Sequence, residues 1–190
     1  MKSPRNIVLT GASGGLGRAL AEALAGPERA LLLFGRSAER LDEVRAVAEA
    51  KGATVTVAQT DLRDQEAVAE MITGFDAASP IDLFIANAGV KCGNVDGIEP
   101  ASQLQRVVDV NLTAALFSLQ CALPQMLARG RGQIALISSL AARSPQGALL
   151  SYSATKAALE AYATALRRKC RGRGVAVSII RPGFIDTPMT

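Results

Sequence analysis

The sequence contains no histidine and no tryptophan, and its 190 residues include only three cysteines, two tyrosines and five phenylalanines. Without histidine, the chain cannot build a histidine-liganded zinc site or a catalytic triad that uses an imidazole base. Its cysteines, Cys92, Cys121 and Cys170, are odd in number and lack the spacing of metal ligands. We therefore predict no metal site, treat Cys92 as an inert thiol, and expect a reducing, cytoplasmic compartment.

Charge and hydropathy argue against two classes of partner. The 21 basic and 17 acidic residues leave a net charge of +4. One dense basic cluster, at 167–173, lacks interleaved aromatics, so we expect no nucleic-acid partner and interpret the cluster as a helix end. No apolar run approaches about 18 residues, and the first residues resemble a strand more than a signal peptide. We expect no membrane partner.

Apolar runs of strand length alternate with segments of helical periodicity. The strands are predicted at 6–9, 30–34, 54–58, 83–86, 133–138 and 175–180, and the helices at 16–25, 38–51, 65–74, 102–129 and 151–172. Ser37 and Asp64 are the candidate N-caps of the second and third helices. Continuous apolarity in the strands indicates burial on both faces, as in a parallel sheet. The pattern predicts an α/β fold, a Rossmann-type doubly wound parallel sheet in three α/β/α layers, forming one domain over 1–190.

A glycine-rich turn lies between the first predicted strand and the first predicted helix, where residues 10–17 read Thr-Gly-Ala-Ser-Gly-Gly-Leu-Gly. Such a tight turn needs residues without a Cβ, and the helix that follows offers free N–H groups to a pyrophosphate. The alternative is an ordinary strand-to-helix turn. We assign dinucleotide binding here to Gly11, Ser13, Gly14, Gly15, Leu16 and Gly17.

The end of the second predicted strand bears on the choice of cofactor. Many NAD sites place an acidic residue there for the ribose 2′-hydroxyl, but this chain has Gly35. Arg36 follows and can pair bidentately with a 2′-phosphate, with Ser13 and Ser37 as nearby hydroxyls. The pattern favours NADP(H) over NAD(H). A solvated loop cation is the alternative for Arg36, but it leaves the missing carboxylate unexplained.

Polar residues and glycine close the third and fourth predicted strands, as Asp61-Leu62 and Asn87-Ala88-Gly89. Strand C-termini are where an open α/β sheet binds its ligand. Asp61 can accept a hydrogen bond from an adenine amino group, and Gly89 permits close approach of the backbone. The alternatives are a helix cap for Asp61 and a plain turn for the Asn–Gly pair.

Tyr152 and Lys156 lie four residues apart in the run Ser-Tyr-Ser-Ala-Thr-Lys. Four residues are about one helical turn, so both side chains project from the same face. An ammonium beside a phenol stabilises the phenolate, which makes Tyr152 a candidate proton donor and acceptor near neutral pH. The alternative interpretation of the pair, which is the default in other sequences, is a tyrosine at the edge of the core and a solvated lysine.

Taken in order, these motifs resemble the classical short-chain dehydrogenase/reductase family, together with Asn111, Ser139 and Pro182-Gly183 followed by Thr187. The resemblance spans almost the whole chain. It implies that Tyr152 is the catalytic acid/base, and that Lys156 binds the nicotinamide ribose and assists the tyrosine. It also implies that Ser139 binds the reacting oxygen and that Asn111 holds a water in a proton relay.

The resemblance further implies that Thr187 and the Ile185 backbone hold the nicotinamide carboxamide, beside Pro182 and Gly183. Family members usually continue beyond this point, so we expect a fold without the substrate-covering lid and last strand. Without the resemblance, Ser139 is interpreted as a turn cap, and Asn111 as a residue that satisfies backbone groups or bends its helix.

The predicted activity is reversible hydride transfer between NADP(H) and a small carbonyl/alcohol substrate. Two rivals are an NADP(H)-binding sensor or scaffold without turnover, and an isomerase or dehydratase with a tightly held cofactor. Two helices each carry a stripe of apolar residues along one face, and these stripes predict a homodimer or homotetramer, unless they face only the chain's own sheet. Leu112, Ala115, Leu116, Leu119 and Leu123 form one stripe, and Ala154, Ala157, Ala158, Ala161 and Ala165 form the other.

Overall fold

The computed structural model describes residues 3–91, 93–94 and 97–185, where strands and helices alternate as expected. The strands are β1 (Asn6–Thr10), β2 (Ala30–Gly35), β3 (Thr54–Gln59), β4 (Leu83–Ala86), β5 (Gly132–Ile137) and β6 (Val175–Ile180). The α-helices are α1 (Gly15–Leu24), α2 (Ala38–Ala50), α3 (Gln65–Ala78), α4 (Ala101–Val108), α5 (Ala114–Arg129) and α6 (Leu150–Lys169). A π-helical turn, Asp109–Thr113, joins α4 to α5, and short 3-10 turns occupy Leu140–Ala142 and Gly147–Leu149.

The six strands form one sheet in the order β3-β2-β1-β4-β5-β6, and every neighbouring pair is parallel. The strand order reverses between β1 and β4. In such sheets the ligand crevice lies at that reversal, outside the carboxyl ends of the strands. The doubly wound parallel fold predicted from the sequence is confirmed.

Apolar clusters cover both faces of the sheet because successive strand residues point to opposite sides. On β1, Val8 packs with residues of α3, α5 and α6, whereas Ile7 and Leu9 pack with residues of α1 and α2. The helices therefore form two outer layers around the sheet. This arrangement confirms the three-layer prediction. The parallel pairing of β1 with β4 places their carboxyl ends at the same edge of the sheet.

Burial on both faces was the expectation for every strand, and it is wrong for the two edge strands. Residues of β1, β2, β4 and β5 are mostly buried. In β3, by contrast, Thr54 and Thr56 are exposed, and in β6 Ser178 and Ile180 are exposed. An edge strand has a neighbour on one side only, so the helical layers cover it less completely.

The helical segment Ala101–Arg129 is long and apolar enough to cross a membrane by length and composition, with a mean hydropathy of 1.4. The search of the sequence for an unbroken apolar run of about 18 residues did not detect this segment. Leu119, Ala122 and Met126 on this segment are fully buried and belong to the apolar cluster shared with α3 and α6. We therefore interpret it as a core helix packed on the sheet.

Candidate functional site

The glycine turn between β1 and α1 is sterically restricted to glycine at two positions. Gly11 has a φ of +70°, and a Cβ added there would lie 2.8 Å from the Cα of Ala88. A Cβ at Gly17 would lie 2.0 Å from the Gly11 carbonyl oxygen. An ordinary strand-to-helix turn does not need such close approach. The missing side chains let α1 pack closely on the turn, and let the turn pack closely on the residues that follow β4.

The surface of this turn is open. Gly14 and Gly15 are exposed, and no side chain caps the first N–H groups of α1. Free N–H groups at a helix N-terminus suit a phosphate, so the turn fits the pyrophosphate of a dinucleotide. Leu16 turns away from that surface and packs against the cluster formed with α2.

Thr10 and Asn87 fasten the glycine turn to the end of β4. The amide of Asn87 donates to the carbonyl oxygens of Thr10 and Gly11 at 3.0 and 3.2 Å. The Thr10 hydroxyl accepts from the backbone N–H groups of Asn87 and Ala88 at 3.0 and 3.1 Å. Sequence reasoning did not assign a role to Thr10. A role could have been predicted from its position, because Thr10 is the last residue of β1, the strand that pairs with β4 where the strand order reverses.

The end of β2 has no room for a side chain at Gly35. A Cβ added there would lie 2.8 Å from the hydroxyl of Ser13 and 2.9 Å from a methyl group of Leu41. Arg36 is exposed and makes no hydrogen bond or ion pair with the residues that the structure describes. Ser37 accepts from the Arg40 N–H and caps α2, as its position predicted. Ser13 and Arg36 thus flank the point where an NAD site carries its carboxylate.

Asp61 is already engaged by a neighbouring arginine. The Arg63 guanidinium binds both carboxylate oxygens, at 3.0 and 2.6 Å, and the Arg63 N–H adds a third hydrogen bond at 3.0 Å. The side-chain hydrogen bonds from Arg63 lower the pKa of Asp61 to about 2. The cap of α3 is Asp64, which accepts from the Ala67 N–H, so Asp61 is not a helix cap. Leu62 is buried in the core.

Tyr152 and Lys156 lie together near the N-terminal end of α6, at the carboxyl edge of the sheet. The ammonium of Lys156 is 5.7 Å from the centroid of the Tyr152 ring. It donates to the carbonyl oxygen of Ile137, the last residue of β5, at 2.8 Å. Lys156 is only 4% exposed, and this burial lowers its pKa to about 8. Proximity of the two side chains, the condition for the predicted chemistry, is met.

Asn111 lies in the π-helical turn and is fully buried. Its side-chain oxygen accepts from the Val90 N–H at 2.7 Å, and its amide donates to the Val90 carbonyl oxygen at 2.9 Å. A Cβ on Gly89 would lie 3.3 Å from that amide oxygen and 3.6 Å from the Lys156 nitrogen. Asn111 therefore satisfies backbone groups, one of the two alternatives considered for it. It does so next to Lys156, at a π turn of the kind often found at functional sites.

Ser139 follows β5 and is half-buried beside the 3-10 turn Leu140–Ala142. Its oxygen accepts from the Ala141 N–H at 3.2 Å, so it caps this turn as the alternative interpretation expected. Among the described residues, no acceptor takes the Ser139 hydroxyl proton. Ser138, by contrast, is buried and donates to Glu160 at 3.0 Å. Of the two serines, Ser139 is the one at the surface of the crevice.

Pro182 and Gly183 follow β6 and lie beside the Ser139 turn. The Leu140 N–H donates to the Pro182 carbonyl oxygen at 3.3 Å, and a Cβ on Gly183 would lie 3.6 Å from a methyl group of Leu140. Ile185 is half-buried at the end of this segment. Thr187 and Cys92, which also carried predictions, lie outside the described residues. All six strands thus bring predicted cofactor or catalytic residues to one edge.

The capping role of Glu99 was missed from the sequence, because its partner Ser151 is 52 residues away along the chain. Glu99 is 8% exposed, and its carboxylate accepts from the backbone N–H and the hydroxyl of Ser151 at 2.8 and 2.7 Å. Ser151 is the second residue of α6, whose own N-cap residue supplies no side-chain hydrogen bond. Glu99 therefore caps the helix that carries Tyr152 and Lys156, and its negative charge suits a helix N-terminus.

Comparison with known proteins agrees with the fold and the motifs. The profile of the family described as short chain dehydrogenase matches residues 5–190. An uncharacterized oxidoreductase from Myxococcus xanthus is 38% identical over 189 residues, which cover 99% of this chain and 75% of that protein. A candidate NAD(P)-dependent gluconate 5-dehydrogenase from Beutenbergia cavernae, solved with NADP, superposes with a TM-score of 0.90 at 30% identity, covering 98% and 74% of the two chains. A xylitol dehydrogenase solved with NAD+ superposes at 0.86 with 26% identity, covering 95% and 70%.

Proposed function

The chain belongs to the short-chain dehydrogenase family, and on that premise we propose that it transfers hydride reversibly between NADP(H) and a small carbonyl/alcohol substrate. The observation that carries the proposal is the juxtaposition of Tyr152 and Lys156, 5.7 Å from ring centroid to ammonium, at the edge where the glycine turn opens. The oxidoreductase class follows from the family. The substrate class, the cofactor preference and the residue roles are the proposal.

The proposed proton chemistry uses Tyr152 and Ser139. In the reducing direction, the phenol of Tyr152 gives its proton to the substrate oxygen as the carbonyl becomes a hydroxyl. The Ser139 hydroxyl, whose proton no described residue accepts, donates a hydrogen bond to the same oxygen. When bound, the nicotinamide supplies the hydride for the carbonyl carbon. In the oxidising direction the tyrosinate takes the proton back.

Lys156 has two proposed tasks. A pKa of about 8 leaves it largely protonated at neutral pH, so its charge stabilises the phenolate that remains after proton donation. An ammonium has three N–H donors, and one of them is held by Ile137. The other two can bind the ribose hydroxyls of the nicotinamide half. A water relay past Asn111 stays a prediction, because both polar groups of that amide bind Val90.

Support for NADP(H) comes from the end of β2. A side chain at position 35 would require the Ser13 hydroxyl and the Leu41 side chain to move, and the Arg36 guanidinium beside it has five donors that suit a 2′-phosphate. The remaining predicted contacts, at Asp61, Asn87 and Gly89, do not distinguish the two cofactors. Because structural relatives were solved with NADP and with NAD+, the preference rests on this chain's own residues.

A turnover assay tests the proposal. The protein is incubated with NADPH or NADH and a panel of ketones and aldehydes, and loss of nicotinamide absorbance is followed. We expect consumption of NADPH with at least one carbonyl compound and none with Tyr152→Phe. NADPH binding without turnover would instead identify the sensor or scaffold. Conversion of a substrate without net loss of NADPH would identify the isomerase or dehydratase.

The proposed assembly is a homodimer or homotetramer. The leucine stripe faces the chain's own core, since Ala115, Leu119 and Leu123 are buried there. The alanine stripe on α6 is different, because Ala157 and Ala161 are exposed. Small exposed residues let a second helix approach closely. Light scattering of the purified protein distinguishes a dimer or tetramer from a monomer. The proposed compartment is the cytoplasm, on the basis of cysteine usage.

A further inference from the structure

Glu160 lies on α6 one turn beyond Lys156, and it is only 6% exposed. Its carboxylate accepts hydrogen bonds from three side chains. Ser138 donates to it at 3.0 Å, Arg143 at 2.7 Å and the terminal nitrogen of Arg181 at 2.9 Å, and the Arg181 Nε donates as well. One buried carboxylate thus holds a serine and two guanidinium groups.

The three donors come from the segments that carry the proposed site residues. Ser138 precedes Ser139, and Arg143 follows the 3-10 turn that Ser139 caps. Arg181 precedes Pro182 and directly follows β6. Glu160 itself belongs to the helix of Tyr152 and Lys156. The carboxylate therefore connects the Ser139 turn, the Pro182–Gly183 segment and the Tyr152–Lys156 helix at a single point.

Glu160 is ionised at physiological pH. Hydrogen bonding, first from Arg181 and then from Arg143 and Ser138, lowers its pKa to about 2. Charge-assisted hydrogen bonds are stronger and shorter than neutral ones, and the paired Arg181 contact also restricts orientation. A neutral side chain of the same size would keep the volume but lose the ion pairs.

We infer that Glu160 is a positioning residue for the reaction, holding the hydroxyl of Ser139 in register with Tyr152 and Lys156. This inference rests on the proposed function. Glu160 contacts none of the reacting atoms, and acts through Ser138, Arg143 and Arg181. Misplacement of a reacting group by about 1 Å can cost about 100-fold in rate, so a loosened Ser139 turn should lower kcat.

A second buried clamp on the same chain provides the matched control. Asp76 is 7% exposed, binds Arg129 through both oxygens at 2.7 and 2.8 Å, and accepts from the Ile81 N–H at 2.8 Å. It joins α3 to α5 and to the residues before β4, at the amino edge of the sheet. Like Glu160, it is a buried carboxylate paired with arginine, but it lies at the edge of the sheet opposite the crevice.

The experiment compares Glu160→Gln with Asp76→Asn in the full chain. We expect both variants to lower the melting temperature, and only Glu160→Gln to lower kcat, by about 10- to 100-fold. The NADPH dissociation constant, from fluorescence titration, should stay within about twofold for Asp76→Asn. For Glu160→Gln it should rise by a smaller factor than kcat falls, because Glu160 holds only the Pro182–Gly183 part of the proposed cofactor site. Equal kcat losses in the two variants, or no loss in Glu160→Gln, would overturn the inference.

Arg143→Gln keeps the test decisive if Glu160→Gln fails to fold. The Arg143 side chain is 69% exposed, so its loss should leave the fold intact. We expect a smaller fall in kcat than for Glu160→Gln, with NADPH affinity unchanged. An unchanged kcat in Arg143→Gln would count against the inference if Glu160→Gln could not be purified.

Failure of the proposed function gives a different result. If the wild-type protein turns over no carbonyl compound, the proposed function is wrong. The role of Glu160 in holding its neighbouring segments is then tested by backbone hydrogen exchange. Glu160→Gln should increase backbone exchange at 138–143 and 181–185, and Asp76→Asn should not. Exchange at those segments that matches wild type would remove Glu160 as the group that holds them.

Discussion

The carboxylate of Glu99 accepts hydrogen bonds from the backbone N–H and the hydroxyl of Ser151, at 2.8 and 2.7 Å, across 52 positions of sequence. The N-terminus of α6 is thereby capped from outside the helix. Because Tyr152 follows Ser151 directly, this contact determines where the first turn of α6 lies. The proposed chemistry therefore depends on a carboxylate that contributes no reacting atom.

Replacing Glu99 by alanine should destabilise the protein. The substitution removes two buried, charge-assisted hydrogen bonds and leaves the Ser151 N–H without its acceptor, which should cost about 1.5–3 kcal/mol. Urea unfolding measures the change in free energy. Glu39→Ala is the control, since Glu39 lies exposed in the first turn of α2, and its loss should change stability by less than about 0.5 kcal/mol. Equal changes in the free energy of unfolding for the two substitutions would show that capping by Glu99 does not stabilise the protein.

The buried ammonium of Lys156 should make stability depend on pH in the alkaline range. Burial lowers the pKa of Lys156 from 10.5 to about 8. Below both values Lys156 is charged in the folded and the unfolded chain, so the free energy of unfolding is reduced by the full cost of desolvating the ammonium. Between them the folded chain binds fewer protons than the unfolded chain, so the free energy of unfolding rises with pH.

Comparison with Lys156→Met isolates this dependence from other titrating groups. Between about pH 7 and about pH 11, the wild-type free energy of unfolding should rise by about 3 kcal/mol relative to the variant. Urea unfolding at several pH values gives both curves. Parallel curves would mean that Lys156 titrates normally and is not buried as described.

Arg36 should decide between the two cofactors. Arg36→Ala removes the proposed charged contact to the 2′-phosphate, worth about 1.5–3 kcal/mol, so NADPH should bind about 10- to 100-fold more weakly. NADH affinity should change little, because NADH lacks that phosphate. Fluorescence titration with each cofactor measures both constants.

A distant arginine controls for the change in net charge. Arg173 is exposed between α6 and β6, at the opposite edge of the sheet. Arg173→Ala should leave both dissociation constants within about twofold of wild type. If Arg36→Ala weakens NADPH and NADH equally, the arginine does not read the 2′-phosphate.

Gly17 should not tolerate even a methyl group. A Cβ there would lie 2.0 Å from the Gly11 carbonyl oxygen, so Gly17→Ala must push α1 away from the turn. Overpacking of this kind costs about 1–3 kcal/mol, and the displaced turn should also bind NADPH more weakly. Thermal unfolding and cofactor titration measure the two effects. Gly26→Ala is the control, because nothing lies within 4 Å of its added Cβ, and a melting temperature equally low in both variants would contradict the steric account.

Several features of the fold and site could be predicted because they depend on short stretches of chain. Ser37 and Asp64 cap helices that begin beside them, as predicted, through N–H groups three residues away. The glycine spacing at 11–17 predicted the turn because the clash that excludes a side chain at Gly17 is with Gly11, six residues earlier. The four-residue spacing of Tyr152 and Lys156 predicted their shared face, since helix geometry sets it.

Other features were wrong or missed because they depend on partners far along the chain. The exposure of β3 and β6 follows from their places at the two edges of the sheet, which strand apolarity does not reveal. One missed contact is local, because the pairing of Asp61 with Arg63 depends on side-chain orientation and not on spacing alone. The side chain of Asn111 makes its hydrogen bonds to Val90, 21 residues earlier.

The sequence by itself thus determined the alternation of strands and helices, the glycine turn, the helix caps and the tyrosine–lysine pair. Each of these depends on backbone sterics and hydrogen bonds within a few residues. Only the tertiary structure decided which strands are exposed, and that Glu99 and Glu160 support the helix of Tyr152. Those contacts join segments brought together by burial of apolar surface, which is non-directional, so a local sequence pattern does not reveal which distant residues meet.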